Sequence, residues 1–163
     1  MRLDRFQVFV VLTCGYAFFI FFLSSLSSPP SPGESVFFRE FVGELVDLFE
    51  NNGLIFLFYP LYLAYRHPDK FVHAVLYMVL GLLLNITLIS SENGLLKKYS
   101  AIFAVLLGTL YGVTDELHQM FVPYRTPSSM DLFADLLGLL FAQLLIVLYS
   151  GIIRLLREEP PRR

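Results

Sequence analysis

Residues 101–121 read AIFAVLLGTLYGVTDELHQMF. The first fourteen carry no charge, and the last seven hold Asp115, Glu116, His118 and Gln119. About 20 largely apolar residues in helical form cross the hydrocarbon core of a bilayer. The stretch therefore reads as a membrane span whose polar groups gather toward one end. How many such spans surround it, and which other polar residues share that end, decide the rest of the reading.

Downstream, 130–149 is a second apolar stretch, with Asp131 and Asp135 near its start and Gln143 inside it. Upstream, 71–89 is interrupted only by His73 and Asn85 among its polar residues larger than Thr, and 6–26 is broken by Gln7, Thr13, Gly15 and serines. Arg2 and Arg5 precede the 6–26 run, as in a signal peptide. The apolar part from Val8 to Leu23 is long for an h-region, so an uncleaved helix is the expectation. SSPPSPG at 27–33 then breaks the helix. Between the first and second spans lies an insert, 34–66. Within it, VFFREFVGELVDLFE at 36–50 has apolar residues at helical spacing and an acidic opposite side, the pattern of an interfacial amphipathic helix. Residues 53–65 contain Pro60 and are too short to span alone; they read as interfacial, re-entrant or packed on the bundle. The expected fold is an all-α membrane bundle: four transmembrane helices plus that helical insert, in one domain over 1–163.

Composition agrees. Charged residues make up 16% of the chain, hydrophobic residues 56%, and mean hydropathy is +0.64, whereas soluble domains carry roughly a quarter charged residues. With net charge −2 and no dense basic block outside the C-terminal tail, a nucleic-acid partner is excluded. A single cysteine, Cys14, cannot cross-link its own chain. The expected partner is the bilayer itself.

Lys and Arg in loops favour the cytoplasmic side. Arg2, Arg5, Lys97, Lys98, Arg154, Arg157, Arg162 and Arg163 fall on one side of the four spans; Arg39, Arg66, Lys70 and Arg125 fall on the other. Both termini, the Lys97–Lys98 loop and the tail 154–163 are thus expected in the cytoplasm. Asp69, Lys70, His73, Asp115, Glu116, Gln119, Arg125, Asp131 and Asp135 then all lie toward the external end, and the inner halves of the last three spans carry no charge.

Spacing groups these residues by face. Asp69, His73 and Tyr77 follow one another at four residues, as do Asp115 and Gln119, and Asp131 and Asp135, with Gly138 and Ala142 continuing the last face. A charged side chain at the bilayer centre costs about 2.5–3.5 kcal/mol on insertion scales, and such groups face a bundle interior or a wet cavity. Buried ion pairs that only hold helices in register are the plainer reading for any one residue, with Lys70 and Arg125 as partners for Glu116 and one aspartate. Together, however, five acids face two bases. The three carboxylates in surplus imply protonation, a bound cation or an acidic cavity. Asp131, Asp135 and Glu116 are the candidate cation ligands, and His73 and His118 are further possible donors. Isolated histidines in apolar helices are more often packing residues. Gly108 and Gly112 form a small-xxx-small pair that lets a neighbouring helix approach.

The elements D69-K70-x-x-H73-x-x-x-Y77, Y111-G112-x-x-D115-E116-x-x-Q119, P123-x-R125, Asp131 and Gly138, in this order and spacing, resemble the VanZ-like family of small bacterial membrane proteins. The resemblance covers about 8–150 and is most specific over 69–138. It implies a protein of four or five spans in the bacterial cell (inner) membrane. The founding type is associated with resistance to the glycopeptide teicoplanin. By position, the family's basic-His element falls on Asp69, Lys70 and His73, its acidic-Gln element on Glu116 and Gln119, and its Arg and Asp elements on Arg125 and Asp131. Asp135 stands where the family usually has Asn, and the acidic insert lies outside the shared elements.

Three functions compete. A binding or accessory protein would hold an envelope precursor, a lipid headgroup or an amphiphilic drug in the acidic external site. A membrane enzyme would act on a lipid-linked headgroup, with Glu116, His73 or Asp131 as acid–base groups and Lys70 and Arg125 gripping an anion. A cation or proton path is weakened because only Asn85 and Gln143 continue the polar line inward. No G-x-S-x-G, Walker A or H-E-x-x-H element arbitrates, and no cofactor is assigned.

Overall fold

A computed structural model describes residues 4–26, 43–44, 47–49, 51–53, 66–123 and 125–157. Most of the amphipathic stretch 36–50, all of 54–65 and the tail 158–163 lie outside the described residues. Five helices lie wholly within the described residues, in chain order: α1 Arg5–Ser24, α2 Pro68–Ser90, α3 Gly94–Lys98, α4 Ser100–Gln119 and α5 Ser129–Arg157. Among the described residues there is no strand. All but the short α3 are long and apolar enough to cross a bilayer.

Local chemistry sets the ends. The Asp4 carboxylate accepts the Gln7 N–H at 2.7 Å while the Asp4 N–H donates to the Gln7 side chain at 3.2 Å, a reciprocal capping box that starts α1. Pro68 opens α2, where its missing N–H costs nothing. Asn93 accepts from Leu95 and Leu96 N–H to begin α3. Ser128 starts α5, its carbonyl accepting from Asp131 N–H and its hydroxyl from Met130 N–H. Asp131 in the first turn of α5 and Arg154 and Arg157 in the last both suit the helix dipole. At 1.5 Å per residue, the 29 residues of α5 reach about 43 Å, more than the ~30 Å hydrocarbon core. The helix continues to Arg157, past the apolar stretch 130–149, and its last turns extend beyond such a core.

The directions alternate. Thr13 Oγ1 meets Thr87 Oγ1 at 2.8 Å and Tyr16 OH donates to the Leu76 carbonyl at 3.2 Å, so α1 and α2 run antiparallel. Tyr111 OH donates to the Ala17 carbonyl at 2.5 Å and His118 meets Ser25, which makes α4 parallel to α1. α2 packs chiefly on α5, in the same direction. The core is Ile20, Tyr77, Leu80 and Leu139, with Tyr16, Leu76, Leu84, Val105 and Tyr111 around it.

Small residues let the helices meet. A Cβ on Gly108 would run into the Leu139 side chain, so the expected close approach at Gly108 and Gly112 is made by α5. Gly138 is tighter: a Cβ there would lie 2.9 Å from the Met78 nitrogen, backbone against backbone. Outward, Phe18, Leu110, Phe141, Val147 and Leu155 are exposed. Such a girdle is out of place in water and suited to lipid.

Candidate functional site

The start of α2, the end of α4 and the start of α5 lie together, with the end of α1 alongside. The register that packs α2 on α5 sets Lys70 beside Asp131 and His73 beside Asp135. Lys70 Nζ bonds Asp131 and also Asp69, the latter at 2.9 Å. His73 Nδ1 stands 3.0 Å from Asp135 Oδ1. Asp69 is the rim of this group, its side chain 55% exposed, whereas Asp135 is fully enclosed at 0%.

Gly112 admits that buried carboxylate. A Cβ there would lie 3.1 Å from Asp135 Oδ2 and 3.3 Å from a Tyr77 ring carbon. Glycine at this turn of α4 therefore leaves room for the carboxylate and the ring side by side. Tyr77 is 1% exposed, and among the described residues its hydroxyl has no hydrogen-bond partner.

One turn further along α4, Glu116 is 8% exposed. Its Oε2 accepts the Ser128 backbone N–H at 2.7 Å, so it reaches the first turn of α5, where unsatisfied N–H groups favour an anion. Among the described residues its Oε1 has no hydrogen-bond partner, nor does Asp135 Oδ2. Asp115, also buried, accepts from Gln119 Nε2 at 3.3 Å. Arg125 Nη1 donates to Gln119 Oε1 at 3.4 Å and its Nε to the Leu26 carbonyl at 3.3 Å.

All nine candidates, Asp69, Lys70, His73, Asp115, Glu116, Gln119, Arg125, Asp131 and Asp135, thus fall at one end of the bundle. Their pairing differs from the expected one. Lys70 goes to two aspartates and not to Glu116, because α2 sits beside the first turn of α5. Among the described residues Arg125 holds a carbonyl at the end of α1, where unpaired carbonyls attract a cation, and not a carboxylate. Of the expected cation ligands, Asp131 is engaged by Lys70, while Glu116 and Asp135 converge with His73. One ligand atom from each of these three lies within 4.8 Å of the others. His118 stands apart, bonded to Ser25 Oγ at 3.0 Å and packed on Phe21 with ring centroids 4.4 Å apart.

Ser128 was not singled out from the sequence. Ser128-x-x-Asp131 at the head of an apolar run is a helix-start pattern that points to it. Further along the bundle, Asn85 Nδ2 donates to Gln143 Oε1 at 2.6 Å, and Gln143 Nε2 bonds the Gly81 and Leu139 carbonyls. These two residues hold α2 to α5. The open cleft between Asp4–Phe6 and Ser90–Asn93 lies at the opposite end and gathers no histidine and no buried carboxylate.

Against known proteins, a family model described as VanZ/LLP1 matches residues 9–152. No curated protein and no solved structure gives a significant match.

Proposed function

The chain belongs to the VanZ/LLP1 family and is a multi-pass membrane protein, and from that premise we propose that it serves the bacterial cell envelope through an acidic polar site at the external face of the inner membrane. Both termini lie in the cytoplasm in this reading, as the loop charges imply. The observation that carries it is the enclosure of Asp115, Glu116, Asp131 and Asp135 at one end of an otherwise apolar bundle, with Lys70 and Arg125 beside them. The cost is smaller near the interface than at the bilayer centre, and the collection of buried acids there still supports a working site. An amine-bearing envelope precursor or amphiphilic drug matches the surplus of acid, and a role resembling glycopeptide resistance fits that chemistry.

A second reading has its own support. His73 against Asp135, with an unengaged Glu116 oxygen nearby, has the parts of an acid–base unit, and Lys70 and Arg125 could grip an anionic headgroup. This makes the protein an enzyme on a lipid-linked headgroup. Lipid and precursor profiling of a deletion strain separates the two. Altered glycopeptide sensitivity with unchanged headgroups supports binding, and altered headgroups support the enzyme. A strain unchanged in both contradicts an envelope role.

A further inference from the structure

We propose that His73, Glu116 and Asp135 form a binding site for one divalent transition-metal cation, of the Zn²⁺ or Mn²⁺ class. The three residues come from three different helices, α2, α4 and α5, yet offer ligand atoms within 4.8 Å of one another. Ligands at ~2.1 Å from one ion stand roughly 3.0 Å apart at a right angle and about 3.4 Å apart in a tetrahedron. His73 Nδ1 and Asp135 Oδ1, hydrogen-bonded to each other at 3.0 Å, have that separation, and an ion would take the place of the proton they share. A separation as wide as 4.8 Å closes by up to about 1.4 Å to reach the tetrahedral value.

An independent observation comes from the unused oxygens. Glu116 and Asp135 are each more than nine-tenths buried, and each keeps one carboxylate oxygen without a hydrogen-bond partner among the described residues. Buried acceptors are normally satisfied, and a native exception calls for an unseen ion or water. The neighbouring bases are committed: Lys70 to Asp69 and Asp131, and Arg125 to Leu26 and Gln119. With Asp115, which is likewise buried, three enclosed carboxylates lie near one histidine, and a dication held by Glu116 and Asp135 offsets that surplus of acid. One imidazole and two carboxylates suit Zn²⁺ or Mn²⁺ better than Ca²⁺, which takes six to eight oxygens. Three protein ligands leave a position open to water or substrate, as working sites do and structural zinc sites do not. The unpartnered Tyr77 hydroxyl is a candidate contact for such a molecule.

The inference rests on reading this end of the bundle as the functional one. Metal retention is measured without substrate, so it can fail while an envelope phenotype stands, and the reverse. The full chain, purified in detergent and stripped with EDTA, is equilibrated with Zn²⁺, Mn²⁺ or Mg²⁺ in turn. Bound metal is then measured by mass spectrometry and thermal unfolding by circular dichroism. The expected result is about one equivalent of Zn²⁺ or Mn²⁺ per chain, a raised melting temperature, and affinity weakened more than about tenfold in Asp135→Asn and Glu116→Gln. His118→Ala, at the same end but outside the set, retains wild-type binding. Absence of a stoichiometric ion on the wild type overturns the proposal, as does equal retention by Glu116→Gln and Asp135→Asn. Helicity of the metal-free variants identifies any that fail to fold, and the remaining variant and the wild-type stoichiometry then decide.

Discussion

At Gly138 the backbone of α5 presses directly on that of α2 beside Ala74 and Met78. A side chain cannot swing out of a contact made by main-chain atoms, so Gly138→Ala must push two helices apart. Overpacking of this kind costs about 1–3 kcal/mol. Gly151 lies in the same helix with nothing within 4 Å of where its Cβ would be. Gly151→Ala is therefore expected to be neutral or to stabilise by up to about 1 kcal/mol through helix propensity. Thermal unfolding of the two variants in detergent checks the contrast, and equal behaviour would contradict the crossing. Gly138 sits one turn beyond Asp135, so the same close approach that needs a glycine also sets His73 beside that carboxylate. Stability and site geometry are coupled at this residue.

For the helices, the apolar runs around 6–26, 71–89, 101–121 and 130–149 were enough to read four spans, because a hydrocarbon core demands length and apolarity over any particular partner. The end of α5 was less legible, since apolar content thins beyond Tyr149 while the helix continues to Arg157. Residues that share one helix face, such as Asp131, Asp135, Gly138 and Ala142, could be grouped from spacing and are indeed buried together. Pairing between helices could not be read in this way. Glu116 with the Ser128 N–H, and Arg125 with the Leu26 carbonyl, depend on helix rotation and on backbone groups that carry no sequence signal. Orientation is a property of the helices as a set. Reporter fusions at residue 127 are expected to read external, and fusions at 97 and 160 cytoplasmic. A cytoplasmic signal at 127 would place the carboxylates on the wrong face for an envelope ligand.

As a whole, the molecule divides into an outward apolar girdle, an interior closed by Tyr77, Leu80 and Leu139, and an end where the buried acids collect. The girdle explains residence in a bilayer but selects no ligand. In the proposed reading the end with the buried acids carries the chemistry, so that end should govern function while insertion depends on the girdle. The central claim is tested most directly by complementing a deletion strain with wild type, Glu116→Gln, Arg125→Ala, or Glu92→Gln, which changes an exposed carboxylate outside the cluster. Envelope composition and glycopeptide sensitivity are measured at matched membrane levels of each protein. The account predicts that Glu116→Gln and Arg125→Ala insert normally but restore less than about a tenth of the wild-type effect, a deficit on the order of 1.4 kcal/mol or more if read as a rate, while Glu92→Gln restores it fully. Full restoration by both Glu116→Gln and Arg125→Ala would contradict it and reduce the buried acids to packing.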